Sequence, residues 1–191
     1  MARPRSFDPD AVLDKAVEAF RARGFEATSI EDLEKATGLR RASLYGAFGD
    51  KRAVYVAALR RYDSTRAARL MNEVSAAPTG RKALERMFAL VIGEALADPN
   101  GCLLSNAASE AAGRDPKVSL CVEAGRRRVE GGLHAAILRG RADGSLKGKG
   151  DALALARFLY ASALGLRALA KAGAGRAELL SVAETALAAL G

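Results

Sequence analysis

Apolar residues recur near the start of this chain at the three- and four-residue spacing of an amphipathic helix. Four of them fall on one face: Leu13, Ala16, Val17 and Phe20. Asp8 and Pro9 come before this face as a cap and a first-turn proline, and Gly24 follows it as a stop signal. The pattern therefore predicts a first helix from Asp8 to Gly24.

The same spacing predicts three more helices in the first part of the chain. A short helix is capped by Ser29 and stops at Gly38, a second short helix covers 41–48, and a long one is capped by Asp50 and runs towards Ala76. Because glycine adopts the left-handed conformation at little cost, Gly38 is expected to form a tight turn between the two short helices. Two short helices joined in this way are typical of a helix-turn-helix motif, here over about 29–48.

The rest of the chain also has helical patterning. Five helices are predicted at about 80–97, 101–112, 116–142, 151–172 and 176–190, separated by glycine, aspartate and proline. The last two carry broad apolar stripes that another surface must cover. With 42 alanines and few β-branched or aromatic residues, the composition favours an all-α protein.

Positive charge is concentrated on the second short helix and the start of the long helix that follows it. The formal net charge is +8 and the sequence pI is about 9.9. Residues 37–62 hold six basic side chains and one acidic side chain. This distribution favours a polyanionic partner, with double-stranded DNA ahead of a membrane surface.

No uncharged run approaches the ~20 residues of a membrane span, so we expect a cytoplasmic protein without membrane attachment.

Polar side chains around the predicted turn supply candidate DNA contacts. Five donors lie on or beside the second short helix: Arg40, Arg41, Ser43, Tyr45 and Lys51. Thr28 and Ser29 lie at the start of the first short helix, where backbone N–H groups and hydroxyls can bind phosphate. Helix-turn-helix pairs also occur in proteins that do not bind DNA, so the motif alone leaves a purely structural role open.

Residues 24–51 extend the motif into a more specific signature. They contain GFEATSIEDLEKATGL at 24–39 and then Ser43, Leu44, Tyr45, Phe48 and Lys51 in the segment LYGAFGDK. This signature resembles the N-terminal DNA-binding domain of the TetR/AcrR family of transcriptional regulators. The resemblance implies a helix-turn-helix domain over 6–66, and a C-terminal helical ligand-binding and dimerisation domain over 78–191 that forms a homodimer through about 151–190.

The resemblance also implies roles for individual residues. Thr28 and Lys51 would contact phosphates, and Tyr45 would contact the DNA backbone. Four residues would face the major groove: Arg40, Arg41, Ala42 and Ser43. Arg3 and Arg5 would form an N-terminal arm of the kind that enters a minor groove.

Cysteine and histidine usage limits the chemistry that this chain can carry. Cys102, Cys121 and His134 are too few for a disulfide framework or an ordinary zinc site, so no cofactor or structural metal is expected. Cys121 and His134 are thirteen residues apart on one predicted helix, about 20 Å along its axis, and so cannot act as a catalytic pair. Acid–base catalysis thus has little support, and we expect no enzymatic activity.

Two features predict how an effector is sensed. The segment NGCLLSNAASEAAG at 100–113 is similar to a sensor segment that often holds a cysteine in a subgroup of the TetR/AcrR family. Cys102 falls where a helix should begin, and a helix N-terminus favours the reactive thiolate, so Cys102 is a candidate sensor of electrophiles. Copper capture by Cys102 and Cys121 is an alternative. An apolar pocket is expected to involve Met87, Phe88 and Phe158.

These patterns together predict a ligand-responsive DNA-binding transcriptional regulator. It would be a homodimeric repressor that a small apolar or electrophilic effector releases from a palindromic operator. Two alternatives come from other classes: an all-α enzyme, and a nonspecific DNA-binding protein that binds random duplex as tightly as an operator.

Overall fold

The computed structural model describes residues 7–98, 100–110 and 113–191, and within these residues the chain is all-α, as predicted. The helices have these bounds: α1 (Pro9–Ala27), α2 (Ile30–Thr37), α3 (Arg41–Phe48), α4 (Lys51–Ser75), α5 (Gly80–Ala97), α6 (Leu103–Glu110), α7 (Pro116–Ala142), α8 (Ala152–Lys171) and α9 (Arg176–Ala188). The predicted N-terminal arm, Arg3 and Arg5, lies outside the described residues.

The predicted start and stop signals are used where the sequence places them. The Asp8 carboxylate accepts a hydrogen bond from the Asp10 N–H at 2.9 Å, and the Asp50 carboxylate accepts one from the Ala53 N–H at 2.7 Å. Gly24 interrupts α1 with a left-handed φ of +78°, and a final turn continues to Ala27. A side chain with a Cβ rarely adopts this backbone conformation, which explains why the regular helix stops at this glycine.

The first of two compact units comprises the described residues up to Thr65 together with Cys102–Glu123. In it, α1 packs against α2 and α6, and α2 packs against α3. Its core contains large side chains that are almost completely buried: Phe20, Leu33, Leu44, Tyr55, Leu59 and Leu103. The sequence-based boundary assigned Cys102–Glu123 to the C-terminal domain, whereas packing groups this segment with the helix-turn-helix.

The second unit comprises Arg66–Gly101 and Ala124–Gly191. In it, α5, α8 and α9 pack against one another. Large side chains from α5, α7, α8 and α9 are almost completely buried in its core: Leu84, Ile92, Leu133, Ile137, Leu159, Leu166 and Leu179. By length and composition alone α8 is apolar enough to cross a membrane, but three of its residues, Ala156, Leu159 and Leu166, are fully buried in this core.

Candidate DNA-binding surface

The turn between α2 and α3 is fixed by hydrogen bonds from its own residues. Gly38 has a left-handed φ of +75°, and its N–H donates to the Glu34 carbonyl at 2.8 Å. The Thr37 hydroxyl donates to the Leu33 carbonyl at 2.6 Å and accepts from the Leu39 N–H at 3.2 Å. The backbone direction therefore changes within three residues, and α3 leaves the turn at a defined angle.

One side of α3 is anchored and the other is exposed. Leu44 is fully buried, and the Arg41 N–H at the first turn donates to the Glu34 carboxylate at 2.6 Å. Exposed residues occupy the start of the helix: Arg40, Arg41, Ala42 and Ser43. Tyr45 is half-buried, and the Arg41 guanidinium lies 5.4 Å from the centroid of its ring. A short basic helix with its first turn exposed has the form that enters a DNA major groove.

Lys51 begins α4 directly after the turn that ends α3. Its Nζ donates to the Glu26 carbonyl at 3.2 Å and lies 4.7 Å from the centroid of the Phe25 ring. A lysine ammonium has three N–H donors, so one backbone hydrogen bond leaves capacity for a phosphate oxygen. The ammonium is thus held beside the end of α1.

Thr28 and Ser29, between α1 and α2, differ in exposure: Thr28 is buried and Ser29 is exposed. Thr28 is fully buried, and its hydroxyl donates to the Gly24 carbonyl at 2.5 Å. Ser29 caps α2: its N–H and its hydroxyl each donate to the Asp32 carboxylate at 2.9 Å. These hydrogen bonds, with the backbone bond first, hold the pKa of Asp32 below its ordinary value. Both hydroxyls therefore donate to acceptors within the protein, and the phosphate contacts expected of Thr28 and Ser29 stay predictions.

Comparison with known proteins agrees with this geometry over both parts of the chain. Residues 12–58 match the family described as bacterial regulatory proteins, tetR family. Residues 81–186 match the family described as tetracyclin repressor-like, C-terminal domain. The chain belongs to the TetR family. As a TetR-family protein it is a transcriptional regulator, and the α2–α3 pair is its DNA-binding helix-turn-helix.

Individual relatives match this TetR-family regulator from end to end. The HTH-type transcriptional regulator YezE of Bacillus subtilis (strain 168) is 32% identical over all of both chains. The HTH-type transcriptional repressor ComR of Escherichia coli (strain K12) is 30% identical over 97% of this chain and 90% of its own length. A cysteine mutant of the TetR family regulator CifR, complexed with 26-bp double-strand operator DNA, is 32% identical with a TM-score of 0.87, covering 99% and 100% of the two chains. All three are transcriptional regulators, which argues against the enzyme alternative.

The four residues expected to sense an effector are divided between the two compact units. Cys102 is 3% exposed and packs in the core of the first unit, which also holds Cys121. Met87 and Phe88 are buried in the core of the second unit. Phe158 is 47% exposed. That Phe158 lines a pocket with Met87 and Phe88 stays a prediction.

Sequence reasoning missed two contacts that join α1 and α4 to segments far away in the sequence. The Arg52 guanidinium donates to the Asp115 carboxylate, and the Phe25 N–H donates to the Glu110 carboxylate at 2.9 Å. These partners are 63 and 85 residues apart in the sequence, so no local spacing indicates them. Glu34 was also missed, although its position seven residues before Arg41, on the opposite side of a predicted turn, is a usable signal.

Proposed function

We propose that this regulator is a ligand-responsive repressor that binds a palindromic operator as a homodimer and is released by a small effector. The observation that carries the proposal is the exposed first turn of α3, with Arg40 and Arg41 on the surface and Leu44 anchored beneath them. Arg40, Arg41, Ala42 and Ser43 face base edges, because the N-terminal residues of a recognition helix reach deepest into the major groove. Lys51 and the Tyr45 hydroxyl bind the phosphate backbone, which fixes the register of the helix.

The homodimer is supported by apolar surface on the last two helices. Four large apolar side chains there are exposed in the single chain: Leu153, Phe158, Leu164 and Leu180. Only 22% of an apolar 18-residue stretch of α8 is buried. An apolar surface of this kind is typical of an interface between subunits. Two-fold symmetry would place two α3 helices about 34–36 Å apart, one turn of DNA, and so matches a palindromic site.

Selection of bound duplexes from random DNA tests the operator. The purified protein is incubated with the duplex pool near physiological salt, and bound sequences are enriched over several rounds. We expect a palindrome with two half-sites whose centres are one helical turn apart. Equal recovery of all sequences would instead support nonspecific DNA binding, in which phosphate contacts supply the whole affinity.

The effector is proposed to be a small apolar or electrophilic molecule that acts at Cys102. The Cys102 carbonyl accepts the first hydrogen bond of α6, from the Asn106 N–H at 2.9 Å, so the residue lies at the helix N-terminus. Its thiol is buried among apolar side chains of the DNA-binding unit, so an adduct cannot be accommodated without moving them. Under this proposal, an adduct at Cys102 changes the packing of the core that also buries Leu44 of α3.

An alkylation experiment tests this role, with the other cysteine as the matched control. Operator binding is measured before and after treatment with N-ethylmaleimide, and adducts are counted by intact-protein mass spectrometry. We expect the unaltered protein and Cys121→Ser to lose operator affinity as one adduct forms, and Cys102→Ser to keep it. Release of Cys102→Ser at the same rate as the unaltered protein would exclude Cys102.

A further inference from the structure

The last residue of α6 contacts the end of α1 beside the helix-turn-helix. Glu110 Oε2 accepts a hydrogen bond from the Phe25 N–H at 2.9 Å. Gly24 makes room for this contact, because a Cβ at Gly24 would lie 2.6 and 2.7 Å from the two carboxylate oxygens. The left-handed Gly24 turns the Phe25 N–H away from the helical ladder of α1, so this donor needs an acceptor from elsewhere in the fold.

The segment that Glu110 holds is also the segment that holds Lys51. The Phe25 ring lies 4.8 Å from the Tyr55 ring, and its centroid lies 4.7 Å from Lys51 Nζ. The next carbonyl, that of Glu26, accepts the hydrogen bond from Lys51 Nζ at 3.2 Å. One carboxylate from α6 therefore fixes a backbone position from which two groups, a ring and a carbonyl, orient the same ammonium.

Glu110 lies close to Tyr55 as well. Burial, and in second place the Glu110 charge, raises the pKa of Tyr55, so the phenol stays neutral. The neutral Tyr55 ring, which also packs against the Phe25 ring, adds no charge that would act on Lys51. The carboxylate thus acts on Lys51 through the intervening backbone of Phe25 and Glu26.

We propose that Glu110 is a positioning residue for DNA binding: it holds the Phe25–Glu26 backbone so that Lys51 presents its ammonium to a DNA phosphate. The inference rests on the proposed function, in which Lys51 binds that phosphate. It adds a residue outside the helix-turn-helix, on α6, whose hydrogen bond sets operator affinity without touching DNA.

A double-mutant cycle tests whether Glu110 acts through Lys51. Operator affinity and its salt dependence are measured for the unaltered protein, Glu110→Ala, Lys51→Ala and the double variant. We expect Glu110→Ala to weaken binding about as much as Lys51→Ala, within roughly twofold, and to add almost nothing when Lys51 is already absent. Each single variant should also reduce the slope of log affinity against log salt by about 1 per lost phosphate contact.

Two conservative variants separate the hydrogen bond from a general effect on folding. In Glu110→Gln the amide oxygen still reaches the Phe25 N–H, so operator binding should stay within about twofold of the unaltered protein. In Glu110→Asp the carboxylate is one methylene too short, so binding should fall as in Glu110→Ala, although the charge remains. Glu73→Ala, a carboxylate removed from an exposed part of α4, is the matched control and should leave binding unchanged.

The outcomes distinguish this inference from the proposed function on which it rests. If Lys51→Ala weakens binding but Glu110→Ala has no effect, or has the same effect with and without Lys51, the inference is overturned and the proposed function stands. A Gln variant as weak as the Ala variant would overturn it too. If the unaltered protein selects no operator, or if Lys51→Ala binds the operator normally, the proposed contact between Lys51 and a phosphate is wrong. Glu110 then has no DNA contact to position.

Discussion

Arg41 combines the exposure, the charge and the fixed backbone that direct base readout requires. Its N–H is held by the Glu34 carboxylate at 2.6 Å, so the residue starts α3 in one orientation. An arginine that donates two hydrogen bonds to a guanine discriminates against other bases by about 1–3 kcal/mol. We expect Arg41→Ala to weaken operator binding by about 1–3 kcal/mol and to reduce the preference at one position of each half-site, as measured by equilibrium binding to single-base variants.

Arg86→Ala is the matched control for this measurement. Arg86 is exposed on α5, so its removal changes the net charge equally without altering α3. Loss of affinity that is the same for every sequence would mean that Arg41 holds a phosphate and does not read a base. Unchanged affinity would remove Arg41 from the interface altogether.

Asp14 links protonation to the stability of the DNA-binding unit. Arg61 donates to both of its carboxylate oxygens, at 2.7 and 2.9 Å, and this pairing holds the pKa of Asp14 below its ordinary value. A carboxyl group whose pKa is lower in the folded state stabilises the fold above its unfolded pKa, and this contribution is lost as the pH falls through the folded value. Asp14→Asn should therefore lower Tm at neutral pH.

The same substitution should have no effect once the pH is below the lowered folded-state pKa of Asp14, where both proteins carry a neutral group at this position. Thermal unfolding followed by circular dichroism at the two pH values measures this difference. Because Asp14 is half exposed, added salt should shrink the neutral-pH effect. Glu73→Gln, on the exposed side of α4, is the control, and a Tm difference that persists at acidic pH would contradict the ion-pair explanation.

At the residue scale, the sequence predicts which side chains face solvent better than it predicts the hydrogen-bond partner of each polar group. The exposed Arg40 and Arg41 were expected from helical periodicity, because Leu44 must face the core. Thr28 was expected to contact a phosphate, and the structure buries it with its hydroxyl donating to the Gly24 carbonyl. This hydrogen bond could not be predicted from spacing, because it accompanies the left-handed Gly24 that interrupts α1 four residues earlier.

Single helices follow from local signals because caps, stops and periodicity act within a few residues. Asp8, Ser29 and Asp50 each accept the backbone hydrogen bond that their sequence positions indicate. The grouping of helices is different, because it depends on contacts between distant segments. The packing of Cys102–Glu123 with the N-terminal helices rests on contacts such as Phe25 with Glu110, which no window of sequence contains.

The tight turn of the helix-turn-helix gives a prediction at the scale of the element. Gly38 has open space around its missing Cβ, so the cost of Gly38→Ala comes from its φ of +75° alone. A left-handed alanine costs about 1–2 kcal/mol, and we expect the free energy of unfolding to fall by that amount. Chemical denaturation followed by circular dichroism measures it.

Gly46→Ala is the matched control, and we expect it to change the free energy of unfolding in the opposite direction. Gly46 lies inside α3 with a right-handed backbone and open space around its missing Cβ. An alanine there should stabilise the helix by about 0.5–1 kcal/mol, because glycine loses more backbone entropy on folding. If both substitutions shifted stability in the same direction, backbone conformation would not be the determining factor at Gly38.

At the scale of the whole molecule, the apolar surface of α8 and α9 is the feature that a single chain does not explain. Core residues such as Leu159, Leu166 and Leu179 are fully buried, but Leu164 and Leu180 on the same two helices are 37% and 39% exposed. The sequence predicted broad stripes on these helices, and it could not divide them between a core face and an outer face, because alanines occupy both.

A charge placed on that outer face tests the homodimer directly. We expect Leu164→Glu to be a monomer by light scattering at concentrations where the unaltered protein is a dimer, because a carboxylate in an apolar interface must be desolvated without a partner. Met71→Glu, at a residue that is 59% exposed on α4, is the control and should remain a dimer. Two DNA-binding domains joined in a dimer bind one palindrome far more tightly than a single domain does. The Leu164→Glu monomer should therefore also lose most operator affinity while keeping its fold. A monomeric variant with undiminished affinity would show that each chain reads its site alone, and a dimeric Leu164→Glu would place the interface on another surface.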